Sequence, residues 1–201
     1  MKLQVPIVLM YSRLVIGLIV ILLSIQHIDY YKFISTTLLT IGLLTDIFDG
    51  IIARRLAVST QKIRRLDSAI DQLFFLSFTL ATYIQCPDFF KSNFTKLAIL
   101  IGIEGAAYLV SYVKFKKEIA THSIGAKIWT LLLFATLIEV ITHCQSVTLF
   151  NFFFWIGLIT RLEIIAIILT LKTWTTDVPT FYHSLKLRKG IEIKRHKLFN
   201  G

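Results

Sequence analysis

Long apolar stretches separated by short polar segments make up most of the chain. Six of them approach the roughly 20 residues that a helix needs to cross a bilayer. They are Ile7–Ile25, Phe33–Ala53, Leu66–Cys86, Phe94–Val113, Lys127–Thr142 and Leu149–Leu171. The pattern predicts an all-α integral membrane protein with six transmembrane helices in a single bundle. We expect no cleavable signal peptide, because the first apolar stretch continues as a span without a small-residue cleavage site.

The chain after residue 171 differs in kind from these spans. Pro179 and the polar residues before it end the last span. Beyond them, residues 181–189 fit either an unstructured basic tail or a short amphipathic helix with Phe181, Leu185 and Leu187 toward lipid. The sequence therefore predicts a six-helix membrane domain at residues 1–171 and a basic cytoplasmic tail at residues 172–201.

The basic residues predict the orientation of the spans. With the N-terminus in the cytoplasm, all but five of the 22 Lys and Arg residues face that side. Lys32, Lys91 and Lys96 lie opposite, and Arg13 and Arg161 lie within spans. Positive residues favour the cytoplasmic side, so both termini are predicted to be cytoplasmic. The net charge of +10 then reflects topology and contact with anionic lipid, not nucleic acid.

Four aspartates interrupt the second and third apolar stretches at helical spacing. Asp46 and Asp49 are three residues apart, and Asp67 and Asp71 are four apart, so each pair shares a helix face. The short segment between the two helices makes them antiparallel neighbours, which brings both pairs to one point. Ionised carboxylates near hydrocarbon are costly without a shared partner, and a divalent cation is a suitable one. The sequence therefore predicts a metal site that opens to the cytoplasmic headgroup region.

The residues around these aspartates form a longer pattern, Asp46-x2-Asp49-Gly50-x2-Ala53-Arg54-x8-Ile63-x3-Asp67-x3-Asp71. It resembles the signature of the CDP-alcohol phosphotransferases, also called CDP-alcohol phosphatidyltransferases. The one departure is Ile63, where the family has glycine. The segment Pro6–Arg13, Glu104 and Lys127 also resemble family positions. The resemblance covers most of residues 1–171.

Six short helices with little mass outside the membrane suit a bacterial cytoplasmic membrane. The resemblance implies a reaction in phospholipid synthesis. A CDP-linked lipid, usually CDP-diacylglycerol, gives its phosphatidyl group to the hydroxyl of a small alcohol, and CMP leaves. It also implies Mg²⁺ or Mn²⁺ as cofactor and a homodimer as the assembly. Serine, glycerol 3-phosphate, an inositol phosphate and a second lipid all remain open as the acceptor.

The resemblance also implies roles for individual residues. Asp46, Asp49 and Asp67 are the expected metal ligands, and Asp71 is the expected general base, which can also reach a metal. Nucleotide and phosphate binding is expected of the following residues: Asp46, Gly50, Ala53, Arg54 and Ile63. Gly50 and Ala53 have minimal side chains, which leave a slot beside the metal. The guanidinium of Arg54 suits a phosphate. Ile63 either narrows the cytidine pocket or points to lipid on a shifted backbone.

The charged residues elsewhere in the spans leave two interpretations open. Arg161, with Lys127 and Arg64 or Arg65, forms a pocket for a phosphate on the acceptor alcohol. Alternatively, Arg161 neutralises Glu104 or Glu139, and the loop arginines only set topology. The second interpretation is favoured, and Arg161 and Glu163 are each expected to pair with another helix because residues two apart do not share a face.

Cys86 and Cys144 fall at the outer ends of their helices. A disulfide between them fits an oxidising compartment. Two separate buried thiols are the favoured interpretation, and no Cys or His spacing indicates zinc.

Two other functions compete with the enzyme. A cation transporter requires a pathway across the membrane, but the carboxylates cluster at one end and no inverted repeat is evident. A catalytically degenerate family member that acts as a membrane scaffold is supported only by Ile63.

Overall fold

The computed structural model describes residues 4–55, 60–119, 123–191 and 193, with the backbone alone described at 4–6, 53–55, 61, 62 and 64. These residues form helices and no strand. In chain order the helices are α1 (Gln4–Ile25), α2 (Tyr31–Arg55), α3 (Gln61–Gln85), α4 (Pro87–Ser92), α5 (Phe94–Phe115), α6 (Ile124–His143), α7 (Thr148–Thr170) and α8 (Phe181–Arg188).

A helix covers each of the six predicted stretches. Five of them, α1, α2, α5, α6 and α7, are long and apolar enough to cross a membrane. The sixth, α3, is equally long but carries charged residues and two aspartates in its first three turns. The protein is thus an all-helical multi-pass membrane protein, while the sixth span and the orientation stay predictions.

The described chain divides into two compact units, and the predicted single bundle is therefore not confirmed. One unit comprises residues 1–91 and 137–146, which include α1 to α3 and the end of α6. The other comprises residues 92–136 and 147–201, which include α5, α7, α8 and the first part of α6.

In the first unit, α1 packs against both α2 and α3, whereas α2 and α3 touch each other at few points. Small residues allow the close approaches. A Cβ at Gly17 would lie 2.9 Å from the hydroxyl oxygen of Ser77, and a Cβ at Gly42 would overlap the ring of Phe74. The core around them is apolar and almost fully buried, with Met10, Leu39, Phe74 and Phe78 among its members. This packing fixes α1 beside the two helices that carry the aspartates.

Cys86 and Cys144 form a disulfide in the first unit, with their Cα atoms 5.2 Å apart. The favoured prediction of two separate thiols is therefore wrong. Cys86 caps the C-terminus of α3, and Cys144 directly follows α6. Both helices end at the same place in the unit, which brings together two residues that are 58 positions apart.

In the second unit, α7 packs against α5 and α8. The Lys114 ammonium donates to the carbonyl oxygens of Ile168 and Leu169 at 3.0 and 2.6 Å, which satisfies acceptors at the end of α7. As one of the two predicted alternatives, a helix, α8, follows the polar break after α7. The prediction for the side of this helix that faces lipid is wrong at Leu187. Leu187 packs against the buried cluster of Ile167, Leu171 and Val178 rather than facing lipid. The first part of the tail thus packs onto α7.

Candidate functional site

The four aspartates converge on one side chain, the guanidinium of Arg13 in α1. Its Nη1 donates to Asp46 at 2.8 Å and also to Asp71. Its Nη2 donates to Asp49 at 2.6 Å and to Asp67 at 2.5 Å. The prediction that the two pairs meet at one point is confirmed. Helical spacing puts each pair on one face, and α1 supplies the cation between them.

Burial differs sharply between the members of this cluster. The side chains of Arg13 and Asp49 are fully buried, whereas those of Asp46, Asp67 and Asp71 are 36%, 27% and 30% exposed. Removing one partner of such a buried ion pair strongly destabilises the protein, because the other charge stays buried without compensation. The cluster is therefore anchored at Asp49 and accessible at the other three carboxylates.

The acid cluster fits a divalent cation. Asp46, Asp49 and Asp67 each offer one carboxylate oxygen, and these atoms lie within 4.8 Å of one another. Oδ1 of Asp49 is buried and has no hydrogen-bond partner among the residues that the structure describes. A buried carboxylate oxygen without a partner is costly, and coordination to a hard cation satisfies it. These three aspartates are thus suited to hold a divalent cation.

The predicted nucleotide residues lie where α2 ends and α3 begins. Gly50 lies in the last two turns of α2, one residue after Asp49, and Ile63 lies in the first turn of α3. Thr60 caps α3, since its hydroxyl oxygen accepts the backbone N–H of Ile63 at 3.3 Å. Ile63 is half-buried on this regular helical backbone.

Several predicted roles fall outside the described side chains or are untested there. The side chains of Ala53, Arg54 and Arg64 lie outside the described set. Arg65 is exposed at the start of α3. Their roles in binding phosphate stay predictions.

Arg161 lies in the second unit and pairs with Glu104 of α5 through its Nε. Its guanidinium also stacks on the ring of Trp129, 4.5 Å from the ring centroid. This pairing is the one that the favoured interpretation named, and it leaves the phosphate role of Arg161 and Lys127 open. Glu163 accepts the backbone N–H of Phe181 at 3.1 Å, so it too contacts another helix, as expected.

The contact between Arg13 and the aspartates was not predicted from the sequence. Arg13 was predicted to lie within a span, and no partner was predicted for it. The available signal was the coincidence of one unpaired arginine in α1 with four carboxylates in the next two spans. Charges inside a membrane protein pair with one another, so this coincidence favours a shared site.

One of three comparisons with known proteins finds a match. The family model described as CDP-alcohol phosphatidyltransferase matches residues 3–170. Neither the comparison with curated proteins nor that with solved structures finds a match. The matched range contains α1 to α7 and every residue of the acid cluster. The chain therefore belongs to the CDP-alcohol phosphatidyltransferase family, whose members are membrane transferases of phospholipid synthesis.

Proposed function

We propose that the protein transfers a phosphatidyl group from CDP-diacylglycerol to the hydroxyl of a small alcohol, with phosphorylated alcohols among the candidates, and releases CMP. The observation that carries this proposal is the convergence of Asp46, Asp49, Asp67 and Asp71 from two helices. Family membership supplies the reaction class. A group of carboxylates at one point has the donor set for a metal and a base within reach of it.

In the proposed mechanism, Asp46, Asp49 and Asp67 would hold Mg²⁺ or Mn²⁺ through oxygen ligands. Such an ion, when bound, neutralises the pyrophosphate and stabilises the negative charge that develops on CMP. Asp71 takes the proton of the acceptor hydroxyl as the new oxygen–phosphorus bond forms and the bond to CMP breaks. The family resemblance assigns this role to Asp71, and its carboxylate is 30% exposed, so an acceptor hydroxyl can reach it.

Gly50, Ala53 and Arg54 are proposed to hold the nucleotide with Asp46. The absence of a side chain at Gly50 lets a ligand approach the backbone of α2 beside the cluster. Arg54 would pair with a phosphate through its guanidinium fork. Ile63 lies across the connection at the start of α3, where it would set the space left for the cytosine ring.

Where the acceptor carries a phosphate, Arg161 and Lys127 of the second unit are proposed to recognise it. The Nε of Arg161 contacts Glu104. A guanidinium also carries two Nη groups, which in general suit a phosphate because they can bind two of its oxygens at once. Stacking on Trp129 holds this guanidinium in position.

The proposed membrane orientation places the acid cluster at the cytoplasmic face. The disulfide supports it, because disulfides persist in oxidising compartments. Asp71 and Cys86 are separated along α3 by about 22 Å at 1.5 Å per residue, most of the roughly 30 Å hydrocarbon core. The cluster and the disulfide thus approach opposite faces. A bacterial cytoplasmic membrane and a homodimer complete the proposal.

The deciding experiment measures CMP release by purified protein with CDP-diacylglycerol, Mg²⁺ or Mn²⁺, and a panel of acceptors with and without a phosphate. We expect release with one acceptor of the panel. Asp71→Asn, which keeps the shape but removes the base, should lower kcat by about 10²–10⁴-fold. No release with any acceptor from folded protein would refute the proposed reaction.

A second variant tests the acceptor site. Arg161→Gln should raise KM for the phosphorylated acceptor by about 30-fold, the equivalent of roughly 2 kcal/mol for a hydrogen bond to a charged group. The KM for CDP-diacylglycerol should stay unchanged. Glu104→Gln is the matched control, because it removes the partner of Arg161 but keeps the guanidinium. Equal effects of both substitutions on the acceptor KM would show that Arg161 only neutralises Glu104.

A further inference from the structure

Arg13 joins two helices through their carboxylates. Each of its terminal nitrogens contacts one aspartate of α2 and one of α3: Nη1 contacts Asp46 and Asp71, and Nη2 contacts Asp49 and Asp67. All of its hydrogen bonds thus go to the acid cluster, because the buried Nε has no partner among the described residues.

The position of Arg13 makes this contact central to the cluster. Helix α1 lies against both α2 and α3, which touch each other at few points. The side chain of Arg13 is fully buried, so its charge has no solvation other than these carboxylates. A single guanidinium charge brings together four carboxylates that would otherwise repel one another.

A divalent ion at Asp46, Asp49 and Asp67 uses the same carboxylates that Arg13 contacts. Two cations that share the same anions repel each other, and each weakens the binding of the other. Arg13 therefore stabilises the cluster more when the metal is absent than when it is bound.

We infer that Arg13 is a positioning residue that acts as the internal counter-cation of the metal-free acid cluster and lowers its affinity for the divalent ion. This inference rests on the metal use proposed above. It gives a physical reason for an arginine in the middle of α1. The protein folds into the membrane with its acid cluster assembled, and the metal then binds without having to assemble it.

The test compares wild type with Arg13→Gln for Mn²⁺ affinity and for unfolding with and without Mn²⁺. Affinity is measured from the loss of the electron paramagnetic resonance signal of free Mn²⁺. We expect Arg13→Gln to bind Mn²⁺ about tenfold more tightly, which corresponds to roughly 1.4 kcal/mol. Its unfolding temperature should fall in EDTA, and the rise on adding Mn²⁺ should exceed that of wild type by about 4 °C.

Met10→Ala is the matched control. Met10 lies one turn before Arg13 in α1, is almost fully buried, and belongs to the apolar core rather than to the ion cluster. This variant should lose stability equally with and without Mn²⁺, because a cavity has no preference between the two states. Equal losses for Arg13→Gln, or weaker Mn²⁺ binding, would show that Arg13 is only a structural brace and would overturn the inference.

Arg13→Lys covers the case in which Arg13→Gln does not fold. A lysine has a single terminal nitrogen, which cannot contact all four aspartates as the two Nη groups do. We therefore expect Mn²⁺ to raise the unfolding temperature of Arg13→Lys more than that of wild type and less than that of Arg13→Gln. A rise equal to that of wild type would overturn the inference. If wild type itself binds no Mn²⁺, the proposed metal use fails as well. If wild type binds Mn²⁺ and the Arg13 variants respond as it does, only the inference about Arg13 fails.

Discussion

Gly42 sets the distance between the two helices that carry the aspartates, and Gly42→Ala tests this directly. A Cβ at this position would lie 2.5 Å from Cε2 of Phe74 and closer still to its Cζ. Carbon atoms in contact prefer about 3.5–4.0 Å, so α2 and α3 would have to separate by about 1 Å. The ring cannot swing aside easily, because Phe74 is 1% exposed and packs against Phe75 and Phe78.

The change in folding stability expected for Gly42→Ala is the difference between two opposing effects. Overpacking a core with an extra methyl group costs about 1–3 kcal/mol. Replacing glycine by alanine inside a helix stabilises it by about 1 kcal/mol. Gly102→Ala in α5 provides the matched control, because a Cβ there meets no atom within 4 Å. The gain in helix propensity is common to both variants, so Gly42→Ala should be less stable than Gly102→Ala by about 2 kcal/mol.

The same substitution should impair catalysis. Asp46 lies one turn after Gly42, and Asp71 lies one turn before Phe74, so separating the helices moves the carboxylates apart. A displacement of about 1 Å at a reacting group can lower the rate by about 10²-fold.

Stability is followed by circular dichroism during unfolding in mixed micelles of a mild detergent and SDS, and activity by CMP release. Gly102→Ala should keep wild-type activity and equal or exceed wild type in stability. If Gly42→Ala were as stable and as active as Gly102→Ala, the contact with Phe74 would not set the spacing of α2 and α3, and the reasoning would be refuted.

Two further predictions concern the disulfide and the buried aspartate. Reducing the Cys86–Cys144 disulfide removes a cross-link between residues 58 positions apart, which the chain-entropy model values at about 4 kcal/mol. Dithiothreitol should therefore lower the SDS fraction at which wild type unfolds but have no effect on Cys86→Ser; an equal response of both proteins would contradict the disulfide. Within the acid cluster, Asp49 has the fully buried carboxylate, and Asp49→Asn removes its charge while keeping its shape, so the Mn²⁺ affinity should fall by about 10²-fold. An unchanged electron paramagnetic resonance titration would exclude Asp49 as a ligand.

The sequence by itself determined the helices and the arrangement of the carboxylates on them. Apolar length predicted a helix at each of the six stretches, and the spacing of three and four residues placed each aspartate pair on one face. These features are local, because the repeat of 3.6 residues per turn fixes which neighbours share a face. The short connection between α2 and α3 then left little freedom in where the two pairs meet.

Only the tertiary structure decided which distant residues are partners. Arg13 contacts aspartates that lie 33 to 58 positions away. Arg161 pairs with Glu104, although the sequence was equally compatible with pairing to Glu139. The pairing of Cys86 with Cys144 and the inward face of Leu187 were likewise set by the helix that lies alongside. Helical periodicity fixes the face on which a residue lies but not the helix that packs against this face. Which helix packs there depends on the packing of the whole unit. A buried charge also needs an opposite charge beside it, and the packing of the unit decides which residue supplies that charge.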